Sequence, residues 1–141
     1  MYAQALLEAG NPDLARRQFE AELSRNPLDF DANLYMGLLL KSEQDYDGAL
    51  RHLTRALGVR PGDLRTRNQI ASVALARRDN ATATDMLEAI VKEAPSFIEA
   101  HVALATAYYR LQRKADADRE RAIVERLNQE KDARERARTA R

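Results

Sequence analysis

The chain has no cysteine and no tryptophan, and its 141 residues include only four prolines and five glycines. Without cysteine there are no disulfides, thiolate metal ligands or thiol nucleophiles. A reducing cytosol and an oxidising periplasm both accommodate such a chain, so the compartment stays open between the two. The scarcity of helix breakers, with 45% hydrophobic residues, fits a folded, helix-rich protein of about one domain. Neither sign of charge is in excess: 23 basic residues face 22 acidic ones. No global field therefore draws the chain onto nucleic acid or an anionic membrane. Long hydrophobic runs are missing as well. The longest stretch of apolar residues and glycine is LYMGLLL, Leu34 to Leu40, far short of the roughly 20 residues that cross a bilayer. Residues 1–20 also lack a basic start followed by an apolar segment, so no membrane segment is expected.

Chemistry-bearing constellations are equally sparse. His52 and His101 are the only histidines, and neither has an i, i+4 partner that would complete a metal site, so no metal is expected. The serines lie in no nucleophile elbow, there is no glycine-rich phosphate loop, and the carboxylates are dispersed rather than paired for acid and base work. The sequence therefore reads as non-catalytic and free of cofactors.

What is present is a clock. Pro27, Pro61 and Pro95 stand 34 residues apart, the signature of a repeat architecture. The same step links Ala15, Ala49, Ala83 and Ala117, and it links Phe19, Leu53, Leu87 and Arg121. Gly37 falls in a column of small residues with Ala3, Ala71 and Ala105, and Met36 in a column of large ones with Tyr2, Ile70 and Leu104. Each period reads as two helices. The first begins after an N-cap at Asp29, Asp63 or Ser96, the last with Glu99 at capping-box spacing, and is predicted over about 30–42, 64–77 and 97–111. The second resumes at about 13, 47, 81 and 115, and the first three end at their prolines. Gly37 in the middle of a helix loses roughly 0.5–1 kcal/mol against alanine. Close approach of two helices at this small side chain is the expected compensation.

These columns resemble the tetratricopeptide repeat family, with residues 30–63 as the best unit: Met36, Gly37, Leu40, Ala49, Leu53, Ala56 and Pro61 stand at its diagnostic positions. The position that often holds tryptophan carries Asn33, Arg67 and His101 instead. The resemblance implies an all-α fold, a right-handed superhelical solenoid of antiparallel helix pairs. It would span 1–128, with units at about 1–29, 30–63, 64–97 and 98–128. Residues 129–141 would form a charged helical extension or a disordered tail. The first unit starts inside its repeat, so Met1, Tyr2, Leu6 and Leu7 would leave an uncovered end for an upstream repeat or a second copy of the chain.

The resemblance further implies a scaffold that binds a protein or peptide segment along a concave groove lined by the first helix of each pair. Helical spacing places Asp31, Leu34, Leu38 and Lys41 opposite the face that meets the second helix. One period on come Arg65, Asn68, Ser72 and Leu75, with Gln69 adjacent. Another period brings Glu99, Val102, Thr106 and Tyr109, with Arg110 adjacent, while Gln4 and Leu7 extend the surface backwards. Some family members clamp a partner's terminal carboxylate with basic and amide residues. Leu34, Leu38, Glu99 and Ala103 stand where such a clamp needs them, so that partner class is not expected here.

Overall fold

In the computed structural model, residues 9–140 are described, and Tyr2, Gln4, Leu6 and Leu7 lie outside them. Among the described residues seven α-helices follow one another: α1 (Pro12–Arg25), α2 (Phe30–Ser42), α3 (Tyr46–Val59), α4 (Leu64–Ala76), α5 (Asn80–Glu93), α6 (Ile98–Arg110) and α7 (Lys114–Thr139). The chain divides into two compact units, Met1–Val73 and Ala74–Arg141, with the division falling inside α4.

The helix boundaries have local causes. Asp29 Oδ1 accepts the Ala32 N–H at 2.8 Å and Asp63 Oδ2 accepts that of Thr66 at 2.9 Å, so both act as the expected N-caps. Ser96 does not: α6 starts after Phe97, which offers no side-chain cap. The 34-residue step from Asp29 and Asp63 leads to Phe97, so the capping-box spacing of Ser96 and Glu99 is one residue out of register. Asp45 and Asp79, which the sequence did not single out, cap α3 and α5 through the N–H groups of Gly48 and Thr82.

Helices α2, α4 and α6 are each closed by a residue with left-handed backbone. Gln44, Arg78 and Gln112 have φ of 65°, 65° and 60°, one period apart, and Gly10, a period before Gln44, has φ of 80°. The next N–H then bonds a carbonyl five residues back, as in Asp45 to Leu40 at 2.9 Å, Asp79 to Ala74 at 2.9 Å and Arg113 to Tyr108 at 2.8 Å. This arrangement satisfies helix-end carbonyls that would otherwise lack partners.

Among the described residues of the Met1–Val73 unit the core includes two clusters. Ala15, Phe19, Ala32, Tyr35, Met36 and Leu39 make one, in which the rings of Phe19 and Tyr35 stack with centroids 6.0 Å apart. Phe30, Leu34, Ala49, Leu53, Ala56 and Val73 make the other. Helix α2 is thus buried almost all round, the condition under which an apolar run such as LYMGLLL is stable in water. Gly37 sits where α2 meets α3. A Cβ there would lie 2.7 Å from Leu53 Cγ and 3.4 Å from the Ala49 carbonyl oxygen.

In the Ala74–Arg141 unit α5, α6 and the start of α7 bury Ala83, Leu87, Ile90, Ala100, Leu104, Ala107 and Ala117 completely or nearly so. The alanine column is sealed in both units, since Ala15, Ala49, Ala83 and Ala117 are all at 0% exposure. Arg121, which replaces the large apolar residue of its column, is exposed and pairs with Asp118. Helix α7 continues through the charged segment after Leu127 to Thr139, with residues 128–140 all exposed.

In the tryptophan column, Asn33 and His101 play the same part, one in each unit. Asn33 Nδ2 donates to the Pro27 carbonyl at 3.0 Å and His101 Nε2 donates to that of Pro95 at 2.7 Å, both six residues back. Each side chain also meets a partner 19 residues on. The Asn33 Oδ1 accepts from His52 Nδ1 at 3.0 Å, and His101 Nδ1 shares a 2.5 Å hydrogen bond with Glu120 Oε2. A compact polar residue here ties the inter-repeat turn to the helix pair, work that a tryptophan would do by packing.

Candidate functional site

The residues expected to line a groove separate into bonded, buried and open groups. In the Met1–Val73 unit, Leu34 is only 2% exposed and belongs to the core with Phe30, Leu53 and Val73. The sequence reading gave α2 one neighbour, whereas α4 covers its other side through Val73 and Ile70. Leu38 is half-buried against the Ala15 and Phe19 cluster. Asn68 is 8% exposed, and its Oδ1 has no hydrogen-bond partner among the described residues.

Several polar candidates are engaged in holding α2 to α4. Lys41 Nζ donates to Gln69 Oε1 at 2.5 Å and to Ser72 Oγ at 3.3 Å. Burial pushes the Lys41 ammonium below the ordinary lysine range. Arg65 donates to the Tyr35 hydroxyl at 3.1 Å and lays its guanidinium over that ring, 5.1 Å from the centroid. Asp31 stays half-exposed at the start of α2.

The Ala74–Arg141 unit leaves its candidates more open. Leu75 is buried, at 8% exposure. On α6, Glu99, Val102, Thr106 and Tyr109 are all exposed, with Val102 at 50% and Tyr109 at 61%. Spacings of three and four put them on one stripe of the helix. Arg110 is exposed but anchored: its Nη1 donates to the Leu75 carbonyl at 2.7 Å and to Asn80 Oδ1 at 3.5 Å. Tyr108, one residue before the stripe ends, is buried and donates its hydroxyl to Glu88 at 3.0 Å. Burial first, and that bond second, raise the Tyr108 phenol to about 12.

Sequence reading missed Arg78, Asn80, Gln112 and Lys114, which join Tyr109 and Arg110 around a cavity of about 590 Å³. A column comparison would have exposed them. The period aligns Ser42, Ala76 and Arg110, and it aligns Tyr46, Asn80 and Lys114.

In the first unit, His52 links stability to pH. Because Asn33 Nδ2 already donates to two carbonyls, its Oδ1 accepts and His52 Nδ1 carries the proton. Burial, helped by Arg55 and Arg51, lowers the His52 pKa below its ordinary 6.5. Folding therefore favours neutral imidazole: the stability it contributes is present above the ordinary value and is lost as pH falls through it towards the folded value. The unfolding midpoint is expected to drop less between about pH 7 and about pH 5 in His52→Gln than in the wild type. Equal drops in urea melts of the two would remove His52 from the effect.

Among the described residues no group of three or more histidine, aspartate or glutamate side chains is placed to hold a metal ion, and no helix is long and apolar enough to cross a membrane. No curated protein sequence matches the chain. Solved structures do. A MamA from Desulfovibrio magneticus RS-1 is 24% identical, with a TM-score of 0.78 over 92% of this chain and 73% of that one. Another MamA crystal structure is 15% identical, with a TM-score of 0.80 over 93% and 77%. PilF of Pseudomonas aeruginosa is 16% identical, with a TM-score of 0.77 over 89% and 58%. At these identities the likeness is one of fold. The tetratricopeptide repeat profile matches residues 1–64 and 68–130. With seven helices that repeat every 34 residues and no strand among the described residues, the chain belongs to the tetratricopeptide repeat family, and its architecture is that of a protein-interaction scaffold.

Proposed function

We propose that the chain is a non-catalytic docking scaffold that binds an extended or helical protein segment along the first helices of its pairs. The observation that carries this reading is the α6 stripe, where the apolar surface of Val102 and Tyr109 alternates with the polar Glu99 and Thr106. Exposed aromatic and aliphatic side chains rimmed by polar ones are the composition of a contact surface. Asn68 supports the reading from the other unit: its buried, unpartnered carbonyl oxygen is an acceptor that a segment's backbone N–H would satisfy, and leaving it unmade costs the fold about 1–3 kcal/mol.

Two substitutions separate docking from folding. Peptides selected from a random display library on the intact chain would be titrated against Val102→Ala and Asn68→Leu. Val102→Ala is expected to weaken binding about fivefold, from the loss of roughly 1 kcal/mol of apolar contact. Asn68→Leu is expected to weaken binding while leaving the urea midpoint unchanged or raised, because it removes an unsatisfied buried group. Affinities unchanged in both variants would move the docking surface off these helices.

A further inference from the structure

The cavity bordered by Arg78, Asn80, Tyr109, Arg110, Gln112 and Lys114 lies wholly within the Ala74–Arg141 unit and has a volume of about 590 Å³. Its lining contains three cations and no carboxylate. The side chains of Arg78 and Lys114 enter no ion pair among the described residues, and Arg110 bonds only neutral acceptors, the Leu75 carbonyl and Asn80 Oδ1. The acids in the adjoining segments are committed elsewhere. Asp79 caps α5 through Thr82, Asp116 pairs with Arg113 and Arg119, and Glu88 meets Tyr108 and Arg113. A chain with a net charge of only +1 has carboxylates enough to neutralise three clustered cations, yet none lines this cavity. By contrast, the cavity of about 450 Å³ against α1, α2 and α3 sets Glu20 and Asp45 beside Arg16, Arg51 and Arg55 and is nearly balanced.

The repeat does not require these cations. Where Arg110 and Lys114 stand, earlier periods carry Ser42 and Ala76, and Tyr46 and Asn80. Where Arg78 stands, the neighbouring periods carry Gln44 and Gln112. Those uncharged residues build the same turns with the same left-handed backbone. One of the three charges, that of Arg110, is also held in place. The Leu75 carbonyl accepts both the Arg78 backbone N–H at 3.0 Å and the Arg110 guanidinium at 2.7 Å. The Tyr109 ring lies on the rim, 61% exposed, with the Arg121 guanidinium 5.6 Å from its centroid.

We infer that this cavity is a phosphate site: Arg78, Arg110 and Lys114 hold a phosphomonoester dianion, Asn80 and Gln112 supply amide donors, and Tyr109 packs on the group that carries it. A phosphomonoester brings a charge of about −1.5 to −2 and three strong acceptor oxygens, which three cations neutralise. A lone carboxylate would leave most of that charge uncompensated. The planar fork of arginine fits phosphate oxygens in pairs, and the volume exceeds what an inorganic ion alone would fill. The phosphate arrives either on a free small molecule or on a side chain of a protein partner. The inference does not depend on docking at the α6 stripe.

The test titrates the full chain calorimetrically with inorganic phosphate, O-phosphoserine, a phosphoserine peptide and the unphosphorylated peptide, with ionic strength fixed by chloride. The three phosphate probes are expected to bind, and the unphosphorylated peptide at least about tenfold more weakly than its phosphorylated form. Arg78→Gln and Lys114→Gln, which place neutral residues at these positions without disturbing the turn, are each expected to weaken binding about tenfold at unchanged thermal midpoint. Tighter binding of the phosphopeptide than of O-phosphoserine assigns the source to a partner chain, and equal binding assigns it to a small molecule. Equal affinity in the wild type and the Arg78→Gln/Lys114→Gln double variant, or no heat with any phosphate probe at millimolar concentration, overturns the assignment.

Discussion

Gly37→Leu is expected to lower the stability of the Met1–Val73 unit by about 3 kcal/mol, and Gly37→Ala by about 1–2 kcal/mol, although both residues are better helix formers than glycine. The propensity gain of roughly 0.5–1 kcal/mol is outweighed by crowding. A single added carbon would meet Leu53 Cγ at 2.7 Å and Cδ2 at 2.8 Å, and Leu53 has no exposure through which to withdraw. Displacing it would in turn disturb Ala49, Ala56 and Val73, which share its cluster. The mechanism predicts non-additivity. In a Leu53→Ala background, which by itself costs about 2–5 kcal/mol, Gly37→Ala is expected to become neutral or stabilising, a coupling of about 1–2 kcal/mol between contacting sites. Urea melts of the four proteins of the cycle read this directly, and additive effects would show that α2 and α3 do not meet at Gly37.

Glycine at this position was legible before any coordinates, because the 34-residue step placed it among small residues while Leu53 stood in a column of large ones. The same logic recovered the sealed alanines and the two aspartate caps. It failed for Leu34 because a helical wheel drawn for one pair sees one partner helix. In stacked pairs the first helix has a second neighbour one repeat on, and α4 buries Leu34 from that side. It failed for Ser96 because local capping chemistry was preferred over the period, which leads to Phe97. The roles of Asn33 and His101 were out of reach for another reason. Their partners are a proline carbonyl six residues back and a side chain 19 residues on, and no periodicity of apolar residues encodes such polar pairings.

The second large effect belongs to that polar pairing. Glu120→Ala is expected to destabilise the Ala74–Arg141 unit by about 3 kcal/mol, whereas Glu120→Gln is expected to cost less than about 1 kcal/mol. Both partners are nearly out of water, with His101 at 4% and Glu120 at 9% exposure. His101 Nε2 is already committed as donor to the Pro95 carbonyl. Removing the carboxylate strands Nδ1 in a space that water does not reach, and the missing volume leaves a cavity beside Ala117 and Leu104, whose own burial depends on the α6 and α7 pairing. Glutamine keeps the shape, and its side-chain amide, which both donates and accepts, preserves a hydrogen bond to Nδ1. Thermal and urea melts of both variants check the contrast. Equal losses would mean that the carboxylate itself, not the volume it fills, is at stake, and no loss in either would mean that the pair adds nothing to the fold.

The left-handed corner at Gly10, Gln44, Arg78 and Gln112 bears on how such a scaffold can acquire new chemistry. Three of the four are not glycine, so the chain accepts about 1–2 kcal/mol of backbone strain at each. The carbonyls of the preceding helix fix the corner whatever side chain it bears. Side-chain identity at that point is therefore uncoupled from the packing that sets the repeat. The corner works as an interchangeable socket: a glutamine exchanged for an arginine adds a cation to the surface while the alanine and leucine columns behind it stay as they were.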